Sequence, residues 1–535
     1  MNRTRTVLGE YLLTGELVTD TALAIGSGEA GPDTDMACVR DGQGRLIIPG
    51  SALAGAIRAP FGTHAHWGGE NLASLLYVED APAIGRVSVE ARDGVGINRT
   101  SGTAAPTVLY AREVVPPGTR FRLELRVEAV KGATDLPALP KDKARAWILA
   151  IANDLAAGRA LGSATSTGLG QVKLVPAGTS LTWRGLANRD ELLAVLTGRN
   201  APEKIKTSGV ARPTILRVSV PWRPVSPLLV SVPMNGLVDR LPQTTGAGKH
   251  TRLVIPGASI KGALRTRAER IVRTLAGGPT PTKFADQLAE DLGPVARLYG
   301  RPPTRTGQTR TKGHRGAITV GEVYSPEIPQ WDEVLRALAV RVQTSPNASA
   351  AEKQAEKAKP RAGANVLLAG TDLRINNHVA ISRWTGGADD GKLFATLAPG
   401  AWFGDRGRVY DDSDCWDRLT LDVDLSRLGD SPDQVLCAIR LLMFVLRDLA
   451  EGWIGLGHGT TRGYGEITAD PAGITFAFPA LLPEPLADLA GRSLSLSALT
   501  GDEGIATARA ALTRAWQDEI RELRASAATT EEVTA

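Results

Sequence analysis

Hydrophobic and polar positions along the chain follow two different periods. Alternation with a period of two predicts strands at 7–25 and 120–128, and apolar residues at helical spacing predict a helix over 140–157. The second half repeats this order, with a predicted strand at 214–220 and a strongly apolar helix near 431–450. The pattern indicates an α+β architecture that occurs twice.

Four short blocks recur in the same order in both halves. They are 48–58 (IPGSALAGAIR) with 255–265 (IPGASIKGALR), 97–104 with 381–388, 117–121 with 399–403, and 161–170 with 456–465. Because chance does not preserve the order of several blocks, the sequence predicts two homologous domains. We assign the first domain to 1–178 and the second to 215–475.

Composition changes mark the segments outside the repeated parts. Residues 179–214 are predicted to be a linker, and the second domain is longer because of insertions near 276–316 and 336–370. The second insertion is polar and rich in Ala and Lys, which predicts mobility. Residues 476–535 are predicted to be a C-terminal tail with one helix at 503–524 and a disordered end.

Charge and cysteine content narrow the possible classes of protein. The chain has 535 residues, of which 43% are hydrophobic and 22% charged, as expected for a globular protein. A net charge of +5 is compatible with a nucleic-acid partner but does not require one. Cys38, Cys415 and Cys437 are widely spaced, and no apolar run reaches the length of a membrane span. These features, together with an N-terminus unlike a signal peptide, predict a cytoplasmic protein.

The repeated IPG blocks have the pattern of a strand, a tight turn and a helix start. Backbone N–H groups at such a helix start suit a phosphate. The polar residues predicted to assist are Ser51 and Arg58 in the first block and Ser259, Lys261 and Arg265 in the second. Lys261 has no counterpart in the first block, where Ala54 stands.

The repeated glycine-rich loops have two interpretations. They could hold RNA phosphates through backbone N–H groups at Gly168, Gly170, Gly463 and Gly465, helped by His458 and Arg462. The alternative is a helix-to-strand turn that only needs glycine for its positive φ angles.

Acidic residues precede both IPG turns. Asp33, Asp35 and Asp41 lie before the first turn, and Asp239 lies before the second. A loop aspartate is usually a turn former or a helix cap, so position alone does not make these residues catalytic.

Taken together, the IPG turns, the glycine-rich loops and the R-x-(S/T)-G-x-A blocks resemble the RAMP superfamily of CRISPR-associated proteins. More narrowly, the chain is similar to the backbone subunits of type III effector complexes, here as a tandem fusion of two copies. The resemblance implies two modified ferredoxin-like (RRM-type) domains with loop and thumb insertions. It also implies binding of a CRISPR guide RNA and of complementary single-stranded target RNA. The other implied partners are a large signalling subunit, further RAMP backbone subunits and a small subunit.

The same resemblance implies roles for particular residues. Asp35 and Asp239 fit the family's catalytic position and would bind Mg²⁺ or Mn²⁺, with Asp33 as the fallback in the first copy. Asp41 fits a second acid. Arg99 and Arg383 lie in blocks that resemble the thumb near the kinked guide–target duplex. The family's paired-cysteine zinc site is absent, so no structural zinc is expected.

Several alternatives stay open at this point. Cleavage would use the 2′-hydroxyl of the target RNA as nucleophile, but the sequence does not say which copy is active. The acids could instead be turn formers in a purely structural RNA-binding subunit. A guide-RNA-processing endoribonuclease is a further alternative, although no histidine recurs between the two copies. The last alternative is an unrelated α+β enzyme.

Overall fold

The chain divides into two compact units in a computed structural model. Unit 1 comprises Met1–Gly94 and Leu109–Arg212, and unit 2 comprises Val95–Val108 and Pro213–Ala535. The residues that the structure describes are 6–62, 65–70, 72–132, 137–209, 214–246, 250–303, 305–306, 309–310, 312–340, 362–369, 371, 373–399, 416–482, 484–501 and 503–534. Cys415, residues 341–361 of the second insertion, and 400–403 of one repeated block lie outside these ranges.

The first set of elements runs from residue 6 to residue 204. Its strands are β1 (Thr6–Thr19), β2 (Ile47–Ile48), β3 (Leu76–Val78), β4 (Ala81–Pro82), β5 (Glu90–Ile97), β6 (Ala104–Val114), β7 (Arg120–Lys131), β8 (Arg159–Ala160), β9 (Gln171–Leu174), β10 (Ser180–Gly185) and β11 (Glu203–Lys204). Its helices are α1 (Gly50–Arg58), α2 (Lys141–Ala156) and α3 (Arg189–Leu196). The tip of the β5–β6 hairpin, Val95–Val108, belongs to unit 2.

Unit 1 is built on an antiparallel sheet of ferredoxin type. The order β1–α1–β3–β7–α2–β9 is the βαββαβ order of that fold. In space, β9 pairs with β1, β1 with β7, and β7 with β3. Alternating residues of β7 are buried, including Phe121, Leu123 and Leu125, and they pack with α2 in one apolar core.

The second set of elements runs from residue 215 to residue 534. Its strands are β12 (Ile215–Val220), β13 (Arg223–Pro224), β14 (Ser231–Pro233), β15 (Arg240–Pro242), β16 (Thr244–Thr245), β17 (Arg252–Ile255), β18 (Arg305–Thr306), β19 (Thr309–Arg310), β20 (Ile318–Val320), β21 (Val323–Glu327), β22 (Leu373–Ile381), β23 (Ala388–Pro399), β24 (Leu419–Asp424), β25 (Ile467–Thr468), β26 (Thr475–Ala477) and β27 (Ser493–Ser495). Its helices are α4 (Gly257–Ala276), α5 (Phe284–Ala289), α6 (Pro294–Tyr299), α7 (Trp331–Leu338), α8 (362–368), α9 (Pro432–Ala450), α10 (Leu496–Gly501) and α11 (Ala506–Thr534).

Unit 2 repeats the same topology. The order β12–α4–β20–β24–α9–β26 is again βαββαβ, and β26 pairs with β12, β12 with β24, and β24 with β20. Helix α9 begins at a capping box formed by Ser431 and Gln434, and most of its side chains between Leu436 and Leu449 are buried in the core. The prediction of two ferredoxin-like domains is therefore confirmed.

Additions to this frame lie at equivalent points of both units. A loop containing the candidate aspartates follows the first strand, and a long hairpin (β5–β6 or β22–β23) lies between the second and third strands. A glycine-rich loop joins the second helix to the last strand. In unit 2, β15 and β22–β23 belong to one four-stranded sheet in the order β14-β15-β23-β22.

Two segments outside the predicted domains contain regular structure. Within 179–214, where a linker is predicted, β10 pairs with β1 along six residues and therefore extends the unit 1 sheet. Within 476–535, α11 packs on α9 through an edge-to-face contact between Trp516 and Phe444 at 5.3 Å. This helix reaches Thr534, beyond the predicted end at 524. In the described residues, no helix is both long and apolar enough to cross a membrane.

Candidate functional site

Asp35 and Asp239 occupy the same position in the two units. The Asp35 N–H donates to the Ala111 carbonyl at 2.9 Å, and Oδ2 of Asp35 accepts the Ala111 N–H at 2.7 Å. The Asp239 N–H donates to the Ala395 carbonyl at 2.8 Å, and Oδ2 of Asp239 accepts the Ala395 N–H at 2.7 Å. Each acid therefore anchors its loop to the second strand of the hairpin by the same pair of hydrogen bonds.

The residue after each aspartate extends the correspondence. Met36 pairs with Arg112 as an isolated parallel bridge, and Arg240 pairs with Thr396 in a parallel ladder. The register of the loop against the hairpin is therefore the same in both units, and it brings Asp35 and Asp239 to equivalent places.

Both aspartate side chains are exposed. Within the described ranges, Oδ1 of neither acid has a hydrogen-bond partner, so one oxygen of each carboxylate faces solvent. The same ranges contain no group of three or more His, Cys, Asp or Glu residues that could hold a metal ion. A single carboxylate oxygen fits a Mg²⁺ or Mn²⁺ ion that takes its other ligands from RNA phosphates and water, as Mg²⁺ commonly does.

The other acids of the first loop have different surroundings. Asp33 is exposed two residues before Asp35. Asp41 forms a turn: Oδ1 accepts the N–H groups of Gln43 and Arg45, both at 2.9 Å, and Oδ2 accepts Nε of Arg45 at 2.7 Å. The Arg45 backbone and side chain lower the pKa of Asp41. Asp41 therefore has the contacts of a turn former.

In unit 2, a polar and aromatic cluster lies beside the Asp239 loop. Nε2 of His378 lies 3.0 Å from Oγ1 of Thr396 and 3.3 Å from the Tyr464 hydroxyl. The Tyr464 hydroxyl also accepts Nδ2 of Asn376 at 2.9 Å. The His378 ring stacks on Phe394 with centroids 4.8 Å apart. The hairpin and the glycine-rich loop thus meet one strand away from Arg240.

Two histidines in this region are held in the neutral form. Burial lowers the pKa of His378, and the nearby charge of Arg462 lowers it further. Burial also lowers the pKa of His458, and Arg240, Arg462 and His378 add to this effect. Nη2 of Arg462 donates to Nε2 of His458 at 3.0 Å, which requires an unprotonated nitrogen there. These imidazoles are therefore uncharged near pH 7.

Unit 1 has no such cluster at the equivalent positions. The repeated blocks place Ser163, Thr167 and Leu169 where unit 2 has His458, Arg462 and Tyr464. Leu169 is buried in a small apolar group with Ala22 and Val114. Gly94 stands where unit 2 has His378, and a Cβ atom there would lie 2.2 Å from the Tyr110 ring. A larger side chain at Gly94 would therefore require the Tyr110 ring to move.

The glycine-rich loops are closed by the same backbone contacts in both units. The Leu161 N–H donates to the Gly170 carbonyl at 2.8 Å, and the Leu456 N–H donates to the Gly465 carbonyl at 2.9 Å. A Cβ atom on Gly170 or Gly465 would lie 1.9 or 2.1 Å from the carbonyl oxygen of Leu161 or Leu456. These two glycines are thus needed for the fold of the loop. Gly168 and Gly463 follow 3-10 turns and also have positive φ.

The first IPG turn borders an open groove. The groove has a volume of about 320 Å³. Ser51 and Arg58 line it together with Trp67 and with residues of α1 and β3. The Gly50 N–H at the start of α1 donates to Oδ1 of Asp80 at 2.7 Å. A carboxylate therefore already binds this N–H group, and binding of RNA by Ser51 and Arg58 stays a prediction.

The predicted basic residues of the second IPG block have internal partners. Ser259 is half-buried on α4, and the buried Lys261 donates from Nζ to the Ile318 carbonyl at 3.0 Å. Burial lowers the pKa of Lys261 to about 8, with the charges of Arg265 and Arg315 contributing. Arg265 donates from Nε to Oε1 of Glu269 at 2.7 Å. Contacts of these residues with RNA are untested predictions.

The two arginines of the hairpin tips differ in their surroundings. Nε of Arg99 donates to Oε2 of the buried Glu269 at 3.0 Å, and Nη1 of Arg273 lies 3.4 Å from the same oxygen. Arg99 and Glu269 both belong to unit 2, because that unit includes the tip of the β5–β6 hairpin. Arg383, at the tip of β22–β23, is exposed beside Trp384, which is 95% exposed.

The sequence did not predict a role for His378, Tyr464, Asn376 or Arg240. Their contacts depend on hairpin register and on the docking of the glycine-rich loop, which the sequence does not reveal. One signal was available: the repeated blocks, together with the residues just before 97 and 381, place polar residues of the second copy opposite Gly94 and Leu169 of the first. Such a difference between repeats marks positions where the side chains of the two copies have diverged.

A comparison with protein families agrees with this duplicated architecture. The sequence model of the RAMP superfamily matches residues 16–173 and 242–468. A search of curated proteins found no match. Among solved structures, one chain described as "Type III-B Cmr-beta Cryo-EM structure of the Apo state" is 14% identical over 31% of this chain and 96% of that chain, with a TM-score of 0.25. That likeness is too low to support an argument about function.

Proposed function

Because the chain belongs to the RAMP superfamily, we propose that it is a two-copy backbone subunit of a type III CRISPR effector complex. In this proposal it binds the guide RNA in the cytoplasm and cleaves complementary single-stranded target RNA at two positions, one for each unit. The type III assignment rests on the resemblance of the repeated motifs. Other RAMP subunits, a large signalling subunit and a small subunit would be its protein partners.

The observation that carries the proposal is the duplicated setting of Asp35 and Asp239. Both acids are exposed, both use Oδ2 to bind a hairpin amide, and both leave Oδ1 without a partner among the described residues. The two carboxylates have the same geometry in two units of the same fold. This arrangement suits one reaction that takes place once in each unit. Asp33 has no equivalent anchoring to the hairpin in the described contacts, which favours Asp35.

The reaction that fits this arrangement is transesterification within the target RNA. The 2′-oxygen attacks the adjacent phosphorus, the bond from phosphorus to O5′ breaks, and a 2′,3′-cyclic phosphate and a 5′-hydroxyl result. The 2′-hydroxyl loses a proton and O5′ gains one. Oδ1 of Asp35 or Asp239 would either accept the 2′-hydroxyl proton as a base or hold the divalent cation, and the anchored loop would keep that oxygen in place. DNA lacks this hydroxyl and would not be cut.

A divalent cation would supply charge stabilisation at the phosphate. Asp35 and Asp239 are the residues that would hold Mg²⁺ or Mn²⁺, each through its one available oxygen. The remaining ligands would come from the RNA and from water. A single exposed carboxylate does not suit a metal ion that stays bound when RNA is absent.

A structural role of the two acids is the second candidate. The observation that favours it is that Oδ2 of each acid already binds a hairpin amide at 2.7 Å. In that case the chain would bind guide RNA, and any cutting would occur elsewhere in the complex.

Asparagine and alanine substitutions separate these two candidates. Asn keeps an oxygen that accepts the Ala111 or Ala395 N–H but removes the charge, whereas Ala removes both. We would assemble the complex on its guide with Mg²⁺ or Mn²⁺, add end-labelled complementary RNA, and map the cuts for Asp35→Asn, Asp35→Ala, Asp239→Asn and Asp239→Ala.

The proposal expects each Asn variant to lose one distinct cut by about 100-fold or more, the usual scale of acid–base catalysis, while target binding stays unchanged. Asp41→Asn is the matched control, because Asp41 is a half-buried acid of the same loop whose carboxylate binds turn amides and not the hairpin. Cutting at the wild-type rate by both Asn variants, with losses only in the Ala variants, would instead support the structural role.

A further inference from the structure

Unit 2 carries a continuous set of contacts that leads from Asp239 to the glycine-rich loop. Arg240 follows Asp239 and pairs in register with Thr396. Thr396 contacts His378 through its hydroxyl at 3.0 Å, and His378 lies 3.3 Å from the Tyr464 hydroxyl. Three separate segments thus place polar side chains around one patch of the four-stranded sheet.

The arginines of this patch are not neutralised by acids. Arg240 donates from Nη1 to Oγ of Ser231 at 3.1 Å, and Arg462 donates to His458. Neither arginine forms a salt bridge within the part of the chain that the structure describes. Arg462 is exposed and Arg240 is half-buried. Two cations without carboxylate partners suit a phosphate group.

The uncharged groups of the patch suit a ribose. His378 and Tyr464 are half-buried, and Nδ1 of His378 has no hydrogen-bond partner among the described residues. A neutral imidazole and a phenol can each donate or accept a hydrogen bond. A ribose 2′-hydroxyl is also both donor and acceptor, and it distinguishes RNA from DNA.

We propose that Arg240, His378, His458, Arg462 and Tyr464 form a subsite for one RNA nucleotide beside Asp239, here called the His378 subsite. The arginines bind its phosphate, and His378 and Tyr464 bind its ribose hydroxyl. By fixing this nucleotide, the subsite positions the RNA for cutting at Asp239. This role in cutting rests on the proposed function, whereas nucleotide binding does not.

The subsite has no counterpart in unit 1. Met36, Gly94, Ser163, Thr167 and Leu169 occupy the five equivalent positions. None of these residues offers a cation, an imidazole or a phenol. The two cuts should therefore depend differently on the subsite, and each cut serves as the internal reference for the other.

The first test compares the two cuts in one reaction. In complex assembled on its guide RNA, we expect His378→Ala and Tyr464→Phe to slow the Asp239-dependent cut by about tenfold, the effect of losing one or two hydrogen bonds. The Asp35-dependent cut should keep its rate. Tyr464→Phe removes only the hydroxyl, so it leaves the packing of the ring intact. His378→Gln, which retains hydrogen-bonding groups, should recover part of the rate.

Matched controls exist elsewhere in the chain. Tyr77→Phe removes a hydroxyl that bonds Glu128 at 3.1 Å in unit 1, and Arg521→Ala removes an exposed arginine on α11. Both controls should leave the two cuts unchanged. Equal slowing of both cuts by the subsite variants, or no slowing of either, would overturn the positioning role.

The second test measures nucleotide binding without cleavage. The complex carries both Asp35→Ala and Asp239→Ala. One 2′-deoxynucleotide is placed at each position of the guide in turn, and then at each position of the target. The dissociation rate of the labelled target is measured for every RNA. We expect one position, in one of the two strands, where the deoxynucleotide speeds dissociation about tenfold unless His378→Ala is also present. The strand that contains this position identifies the source of the nucleotide.

The two tests keep the two hypotheses separate. In one outcome, a single deoxynucleotide weakens binding only when His378 is present, but the wild-type complex makes no cut that depends on Asp35 or Asp239. That outcome would contradict the proposed nuclease and support the subsite. Aspartate-dependent cuts without any such position, in either strand, would support the nuclease and overturn the subsite.

Discussion

The two units share a backbone arrangement but differ in the side chains around it. The Asp35 and Asp239 loops are anchored by the same two hydrogen bonds, and the glycine-rich loops close on the same carbonyl groups. Around this shared frame, unit 1 has Gly94 and Leu169 where unit 2 has His378 and Tyr464. Duplication has therefore preserved what the backbone needs, while the surroundings of the two acids have diverged.

The hairpin tips show the same contrast. Arg99 and Arg383 are equivalent in the repeated blocks, yet Arg99 is 9% exposed against Glu269, whereas Arg383 is exposed. A side chain that the sequence predicts to contact RNA in both copies is thus engaged in an ion cluster in one of them. Equivalence in sequence does not ensure equivalence in chemistry.

Removal of the Glu269 carboxylate should have the largest effect on stability. Glu269 is 1% exposed and lies against Arg99, Arg265 and Arg273. We expect Glu269→Ala to lower the free energy of unfolding by about 3 to 5 kcal/mol, because it leaves buried guanidinium groups without a carboxylate. Urea-induced unfolding of the full chain measures this change.

Acid should produce a related loss. Burial raises the pKa of Glu269, but the opposing charge and hydrogen bonds of Arg99 and Arg265 outweigh it, so the net pKa is lowered. A lowered pKa in the folded state means that the stabilisation is present above the unfolded pKa and is lost as pH falls through the folded one. Arg383→Ala is the control for Glu269→Ala, because Arg383 is exposed at the other hairpin tip. A similar loss of unfolding free energy in Arg383→Ala would contradict the contrast between the two tips.

A glycine substitution tests the part of the frame that the units share. Gly170 and Gly465 have φ near +80° and +76°, and a Cβ atom on either would collide with a carbonyl oxygen. We expect Gly170→Ala and Gly465→Ala each to cost about 2 to 4 kcal/mol, from the left-handed conformation and the close contact together. Thermal and urea unfolding of the full chain would measure both.

Gly463 provides the matched control within the same loop. It also has positive φ, at +81°, but a Cβ atom there would meet nothing within 4 Å. Gly463→Ala should therefore cost only about 1 kcal/mol. If the Gly463 and Gly465 variants were equally destabilised, backbone conformation alone, and not loop closure, would explain the glycines.

Long periodic elements were the part of the fold that the sequence predicted well. The predicted helices at 140–157 and 431–450 are Lys141–Ala156 and Pro432–Ala450, because sustained apolar spacing leaves little ambiguity. The RAMP resemblance is confirmed by the family match. The strand predicted over 7–25 ends at Thr19, where the chain turns toward the glycine-rich loop and Asp20 N–H bonds the Gln171 carbonyl.

Contacts between distant residues were the part that the sequence could not predict. Arg99 and Glu269 are 170 positions apart, and His378 meets Tyr464 across 86 positions. Such pairs depend on strand register and loop docking, which a periodic pattern does not determine. The catalytic role of the aspartates was implied by the family resemblance and not by their place in the loop alone, and their shared bond to a hairpin amide appears only in three dimensions.

The two IPG turns differ at Lys261, because Ala54 stands at the equivalent position in unit 1. Burial lowers the Lys261 pKa to about 8 from an ordinary value of 10.5, and the charges of Arg265 and Arg315 add to this. Between these two pH values the unfolded chain binds the proton that the folded chain has released. Stability should therefore rise with pH across that range, by on the order of 1 to 3 kcal/mol.

Lys261→Met should remove this rise, so the wild type and the variant should differ in the slope of unfolding free energy against pH between 8 and 10.5. Groups common to both proteins cancel in that difference. Lys392→Met, at an exposed lysine, should keep the wild-type slope. Equal slopes for wild type and Lys261→Met would mean that the ammonium group is not desolvated in solution. The affinity of Lys261→Met for the guide RNA tests the RNA contact predicted for Lys261. If this variant loses more affinity than Lys392→Met does, the ammonium group must leave the Ile318 carbonyl and bind a phosphate.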